Sequence, residues 1–133
     1  MRDGRTRKME VLEHHESFED FLSRQRAIVV VLSGASAGTE YEVHKPNVSM
    51  GRAEPSDWIF PDDTLSKEHA ALEFVDGGMR LRDLGSMNGT TVNGAETKSA
   101  ELKNGDRFQL GEQQFQYVLE KRRRRPKTYI VEE

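Results

Sequence analysis

The chain has 133 residues, a length that suits one domain with short tails. It contains no cysteine, so disulfide bonds, thiolate catalysis and zinc–thiolate sites are excluded. No stretch approaches the roughly 18 apolar residues of a membrane helix, and the N-terminus has no apolar run typical of a signal peptide. We therefore expect a cytoplasmic protein.

The net charge of -3 is unevenly distributed along the chain. The segment from Lys121 to Glu133 holds six basic and two acidic residues, a balance of +4, which leaves -7 for residues 1–120. Nucleic-acid-binding domains usually carry a basic excess. We therefore expect no nucleic-acid binding by the folded part of the chain.

The N-terminal residues 1–26 are expected to form a polar extension with a short helix. Apolar side chains recur at helical spacing across residues 10–25, which favours a helix of about that length. Ser17 followed by Asp20 instead favours a shorter helix that begins near Phe18. Both helix starts remain open at this point.

Residues 27–120 alternate between short β runs and turn residues, a pattern that predicts an antiparallel β-sandwich. The strand candidates are Ile28–Leu32, Tyr41–Val43, Val48–Met50, Trp58–Phe60, Ala70–Val75, Met79–Leu84, Arg107–Leu110 and Gln114–Leu119. The tight turns expected between strands are Gly77-Gly78, Asn93-Gly94 and Asn104-Gly105.

Three polar clusters fall in loops between these strands: Gly51-Arg52, Ser66 to Ala70, and Asp83 to Thr90. Their residue types suit a phosphate monoester. An arginine fork can bind two phosphate oxygens, a serine hydroxyl can donate to a third, and Lys67 adds positive charge. Asn88 carries both a donor and an acceptor, so its side chain can hold the main chain of a peptide.

The order of these clusters resembles the forkhead-associated (FHA) domain. Gly-Arg is followed by Ser-x-x-His, then Asn-Gly-Thr and a second Asn-Gly, with 14 residues from Arg52 to Ser66 and 22 from Ser66 to Asn88. The resemblance covers about residues 27–120. It implies a β-sandwich of about eleven strands whose loops at one end bind phosphothreonine in a peptide.

The resemblance also assigns roles by position. Arg52 and Ser66 would contact the phosphate with help from Lys67, and Asn88 would fix the peptide main chain. The residues implied to support this site are Gly51, His69, Gly89 and Thr90. No catalytic residue, cofactor or metal ligand is implied.

Two residues differ from common family variants. Met87 stands where the family often has a polar or basic residue, and Glu68 would repel phosphate if it faced the site. We expect Glu68 to point away, because Ser66 faces the site and His69 leads into a strand.

Plainer interpretations exist for single residues of this set. Taken alone, Arg52 would be a surface arginine and Ser66 a turn cap. His69 is interpreted as a partly buried histidine with satisfied hydrogen bonds, since no partner for proton transfer is suggested. Asn93-Gly94 is interpreted as a type I′ hairpin turn.

The sequence therefore predicts an adaptor or regulator that binds phosphothreonine-containing proteins downstream of a Ser/Thr protein kinase, and not an enzyme. The basic tail 121–133 has three interpretations: a flexible solvated end, a segment that docks on nucleic acid or an anionic surface with the sandwich as scaffold, or a kinase-recognition context for Thr128. In the last case a second copy of the chain would bind phosphorylated Thr128, giving phosphorylation-dependent self-association. Thr6 is a rival phosphosite.

Overall fold

The computed structural model describes residues 16–122, which form one short helix and eleven strands in two sheets. The elements are α1 Phe18–Arg24, β1 Gln25–Val31, β2 Glu40–Glu42, β3 Asn47–Gly51, β4 Trp58–Ile59, β5 Ala70–Val75, β6 Gly78–Asp83, β7 Thr90–Val92, β8 Ala95–Glu96, β9 Ser99–Glu101, β10 Arg107–Leu110 and β11 Gln113–Lys121. The six-stranded sheet has the order β2-β1-β11-β10-β7-β8, and the five-stranded sheet has the order β4-β3-β5-β6-β9. The predicted all-β sandwich is confirmed.

Alternate side chains of the two sheets meet in one apolar core. Val29 and Phe115 come from the six-stranded sheet, and Met50, Leu72 and Leu81 come from the five-stranded sheet; all five are fully buried. This alternation follows from the period of two along each strand.

Strands β3 and β4 pair in parallel, which the sequence pattern did not predict. All the other strand pairs are antiparallel.

Strands β7, β8 and β9 are the ones that sequence patterns missed. Each has only two or three residues and mostly exposed or half-buried side chains, so no apolar alternation marks them. They are defined by pairing with longer neighbours. The predicted Asn93-Gly94 hairpin turn connects β7 to β8, with positive φ at both residues.

The turn between β5 and β6 is one residue earlier than predicted. Val75 pairs with Gly78, so the two central residues are Asp76 and Gly77 rather than Gly77-Gly78. Both have positive φ, 52° and 82°, as a type I′ turn requires. Gly78 is the first residue of β6.

Helix α1 is the shorter of the two helices considered from the sequence. Ser17 is its N-cap in a capping box with Asp20, and residues 10–15 lie outside the described part. Phe21 is buried, and its ring lies 5.3 Å from that of Phe74 on β5. The helix therefore packs on the sandwich through an aromatic cluster.

Strand pairing runs slightly past the predicted domain limits of 27 and 120. Gln25 at the start of β1 pairs with Lys121 at the end of β11. The limits themselves stay a prediction, as do the segments 1–15 and 123–133, which lie outside the described residues. Among residues 16–122, no helix is long and apolar enough to cross a membrane.

The sheet topology brings three loops to one end of the sandwich. Strand β3 ends at Gly51, β5 begins at Ala70 and β6 ends at Asp83, and these three strands are antiparallel neighbours. The Gln25–Lys121 pair lies at the opposite end, because β11 begins at Gln113 beside these loops and runs away from them. The three polar clusters of the sequence therefore share one surface.

Candidate functional site

A cleft of about 260 Å³ opens between these loops. Its lining residues are Arg52, Asp63, Thr64, Leu65, Ser66, Lys67, Met87 and Asn88. The four residues that the sequence assigned to ligand contact, Arg52, Ser66, Lys67 and Asn88, thus lie together although they come from three separate loops.

Close contact between two loops fixes the position of Arg52. The Arg52 backbone N–H donates to the Ser66 carbonyl at 2.9 Å, and the Ser56 hydroxyl donates to the Lys67 carbonyl at 2.7 Å. A Cβ atom at Gly51 would overlap the Lys67 carbonyl group and come within 2.5 Å of the Ser56 hydroxyl oxygen. Glycine is therefore needed at position 51 for space, not for its backbone angles, and this close approach holds Arg52 beside Ser66 and Lys67.

His69 joins the second loop to the third. Its ring is fully buried, with 0% of the residue exposed, so it is more deeply buried than the sequence suggested. The Ser66 N–H donates to Nδ1 at 3.1 Å, which leaves Nε2 to carry the proton and donate to the Gly89 carbonyl at 2.8 Å. Both ring nitrogens are satisfied, so the neutral imidazole ties the Ser66 and Gly89 loops together.

The donors that face the cleft are left available for an anion. The Ser66 hydroxyl oxygen accepts from the Met87 N–H at 3.0 Å, so its proton is free to donate outward. In the part of the chain that the structure describes, no carboxylate lies within 4 Å of the charged groups of Arg52 or Lys67. Two cations and a hydroxyl donor therefore line the cleft, and neither cation makes an ion pair with a carboxylate among residues 16–122.

Hydrogen bonds to the Asp83 carboxylate fix the conformation of the third loop, which runs from Asp83 to Thr90. Its Oδ2 accepts from the backbone N–H groups of Gly85 and Ser86, and its Oδ1 accepts from the hydroxyls of Ser86 and Thr90. Burial by itself would raise the pKa of this carboxyl, but the four hydrogen bonds outweigh burial and lower the pKa from 3.8 to about 2. The Ser86 hydroxyl in turn accepts from the Gly89 N–H at 2.9 Å, so the loop that carries Asn88 is held at both ends.

Thr64 orients the Asn88 side chain. The Asn88 Nδ2 group donates to the Thr64 carbonyl at 2.8 Å, which leaves Oδ1 as the outward acceptor. The Thr64 hydroxyl donates to Asp62 Oδ1 at 2.7 Å and accepts from the Glu112 N–H at 2.9 Å. The turn that contains Gly111 packs tightly against Thr64, since a Cβ atom at Gly111 would come within 2.7 Å of the Thr64 hydroxyl oxygen.

Sequence reasoning missed three residues of this support. Asp83 and Ser86 stood within the quoted Asp83–Thr90 cluster, and an Asp followed by Gly and Ser is a signal for side-chain-to-backbone bonds in a turn. Thr64 gave no comparable signal, because its role depends on contacts with residues 24 and 48 positions away. Of the predicted supporting residues, Thr90 is buried and its hydroxyl donates a hydrogen bond to Asp83, and Gly89 has a positive φ of 89°.

Of the two residues that differ from common family variants, one lines the cleft and the other does not. Glu68 does not line the cleft, whereas Met87 lines it and is 87% exposed. Met87 therefore presents an apolar side chain at the rim, and only its backbone N–H takes part in the hydrogen bonds of the site. Thr128, the predicted phosphosite, lies outside the described residues.

Comparison with known proteins identifies this arrangement. Residues 48–111, which include all three loops, match the family model of the FHA domain. Residues 48–111 belong to the FHA domain family. The FHA domain of the CT664 protein from Chlamydia trachomatis has a similar structure, with a TM-score of 0.65 and 26% identity over 70% of this chain and 96% of that one. A second solved FHA domain, that of FhaA in complex with the intracellular domain of Rv3910, has a TM-score of 0.63 and 27% identity over 68% of this chain and 98% of its own.

Two curated proteins with similar sequences are regulators by name. The glycogen accumulation regulator GarA of Mycolicibacterium smegmatis is 40% identical over 85 residues, which are 64% of this chain and 54% of GarA. An oxoglutarate dehydrogenase inhibitor of Corynebacterium efficiens is 36% identical over 92 residues, which are 69% of this chain and 65% of the inhibitor. The chain thus spans less than two thirds of the length of these relatives.

Proposed function

We propose that the FHA domain of this chain binds phosphothreonine on partner proteins and acts as an adaptor or regulator downstream of a Ser/Thr protein kinase. The observation that supports this proposal is the cleft that brings together Arg52, Ser66, Lys67 and Asn88, in which neither cation makes an ion pair with a residue between 16 and 122. The names of GarA and of the oxoglutarate dehydrogenase inhibitor support a regulatory role.

The available donors match the chemistry of a phosphate monoester. The Arg52 guanidinium offers two parallel N–H groups to two oxygens, and the Ser66 hydroxyl proton is directed to a third. Lys67 adds charge beside them. The free Oδ1 of Asn88 accepts a peptide N–H, because its Nδ2 is already held by Thr64.

The proposal assigns no catalysis, cofactor or metal to this chain, and it places the protein in the cytoplasm. Membership in a family of binding domains and relatives named as regulators and inhibitors support the absence of catalysis. Phosphatase and nuclease assays on the purified chain should show no activity. The alternative function, binding of nucleic acid or an anionic surface through the tail 121–133, and self-association through phosphorylated Thr128 remain predictions about residues mostly outside the described part.

The test is loss of binding in an Arg52→Ala variant. A phosphothreonine peptide library first supplies a ligand, and calorimetry then measures its affinity beside the unphosphorylated and phosphoserine forms of the same peptide. Removing one partner of a desolvated charge pair costs roughly 2–5 kcal/mol, so Arg52→Ala should bind at least about 30-fold more weakly. Arg52→Lys should also bind weakly, because an ammonium does not reproduce the planar fork.

Arg107→Ala is the matched control. Arg107 is an exposed arginine with no ion pair among residues 16–122, and it lies on β10, away from the cleft. Its replacement makes the same change in net charge and should leave the affinity unchanged. If Arg52→Ala binds within twofold of the unaltered protein, the site is wrongly assigned.

A further inference from the structure

An acidic side chain lines the same cleft as the two cations. Asp63 is exposed, faces the cleft and makes no hydrogen bond or ion pair with any residue between 16 and 122. The preceding Asp62 behaves differently, since its Oδ1 accepts from both the N–H and the hydroxyl of Thr64. These bonds lower the pKa of Asp62. The Asp62 carboxylate therefore stabilises the turn, whereas the Asp63 carboxylate has no partner within the described part of the chain.

The charges of the cleft do not balance when phosphothreonine alone is bound. Arg52 and Lys67 contribute two positive charges and Asp63 one negative charge, which gives +1. A phosphothreonine brings about -1.5 to -2. The complex then holds an excess of negative charge, with the Asp63 carboxylate in the same small cleft as the phosphate.

Asp63 is next in the chain to the residue that orients Asn88, in the part of the cleft where the proposed function places the peptide main chain. Asn88 is bonded to the carbonyl of Thr64, the residue directly after Asp63. In the proposed function Asn88 holds the peptide main chain. A peptide held there passes next to Asp63, where a cationic side chain would pair with this carboxylate and restore neutrality.

We propose that Asp63 is a specificity-determining residue that selects phosphothreonine peptides with a Lys or Arg residue flanking the phosphothreonine. This inference rests on the proposed function of the cleft. Attraction to a cationic peptide residue and repulsion of an acidic one act in the same direction, so both contribute to the selection.

The experiment compares phosphothreonine peptides that carry Lys or Glu at one flanking position, scanned along both sides of the phosphothreonine. The unaltered protein should favour Lys over Glu by about 3- to 10-fold at one position or more, the range expected for an exposed ion pair gained in place of a repulsion. The ratio should fall in high salt, because exposed charges are screened. Asp63→Asn should bring the ratio close to one, and Asp63→Lys should invert it.

Glu68→Gln is the matched control, since it removes one negative charge from the next exposed acidic residue along the chain without touching the cleft. Its Lys-to-Glu ratio should equal that of the unaltered protein. The same ratio in Asp63→Asn and the unaltered protein, or no preference at any position, would overturn the inference while leaving phosphothreonine binding in place. Equal binding of phosphorylated and unphosphorylated peptides would overturn the proposed function and this inference together.

Discussion

Protonation of Asp83 should destabilise the protein by an amount that follows from its hydrogen bonds. Only 9% of Asp83 is exposed, and its carboxylate accepts four hydrogen bonds that lower its pKa from 3.8 to about 2. One pKa unit corresponds to about 1.36 kcal/mol, so this shift stabilises the folded state by about 2 kcal/mol at neutral pH.

The sign of the pH dependence follows from the lowered pKa. Because the folded protein gives up this proton more readily than the unfolded chain, the stabilisation is complete well above pH 3.8. It is lost as the pH falls through 3.8 toward about 2. The free energy of unfolding should decrease across that window.

Asp83→Asn isolates this contribution. The substitution keeps an oxygen for the N–H groups of Gly85 and Ser86 and places an amide donor beside the hydroxyls of Ser86 and Thr90, which can rotate to accept. Urea titrations from pH 5 to 2 should show the unaltered protein losing about 2 kcal/mol more stability than Asp83→Asn. The other carboxylates are common to both proteins and cancel in the difference. Parallel curves would refute the assignment of the shift to Asp83.

Two further predictions concern the core and the support of the cleft. Tyr117→Phe should raise the free energy of unfolding by about 1 kcal/mol, because the Tyr117 hydroxyl is fully buried and makes no hydrogen bond with any residue between 16 and 122. A lower thermal midpoint in this variant would show that the hydroxyl has a partner. Thr64→Val should weaken phosphopeptide binding about 2- to 10-fold in calorimetry, since it removes the hydroxyl bonds that hold the partner of Asn88, whereas Thr64→Ser should bind normally. Equal affinity of the Val and Ser variants would contradict the positioning role of Thr64.

The fold was largely predictable from local sequence patterns, and the exceptions share a cause. Strands Ala70–Val75 and Arg107–Leu110 have the predicted bounds: the first begins with three consecutive buried residues, and the second alternates between solvent and core. Strands β7 to β9 were not predicted, since they contribute few buried side chains and exist through hydrogen bonds to neighbours distant in sequence. Short strands of this kind carry no pattern of their own.

The candidate site was likewise predictable from the sequence only in part. The residue types and their spacing alone pointed to Arg52, Ser66, Lys67 and Asn88, because phosphate binding needs particular donors and these residues stand out in loops. The sequence also indicated the capping box that starts α1 at Phe18, a contact between residues three apart.

Contacts between distant loops were decided only by the tertiary structure. The overlap that requires glycine at position 51 involves Lys67, the carbonyl that accepts from Asn88 belongs to Thr64, and Asp63 lines the same cleft as Arg52 from a different loop. Local propensities and motifs act over a few residues, so they determine strands, turns and the identity of the donors. Which groups satisfy one another and which are left for a ligand depends on packing across the chain, and the folded arrangement alone settles that.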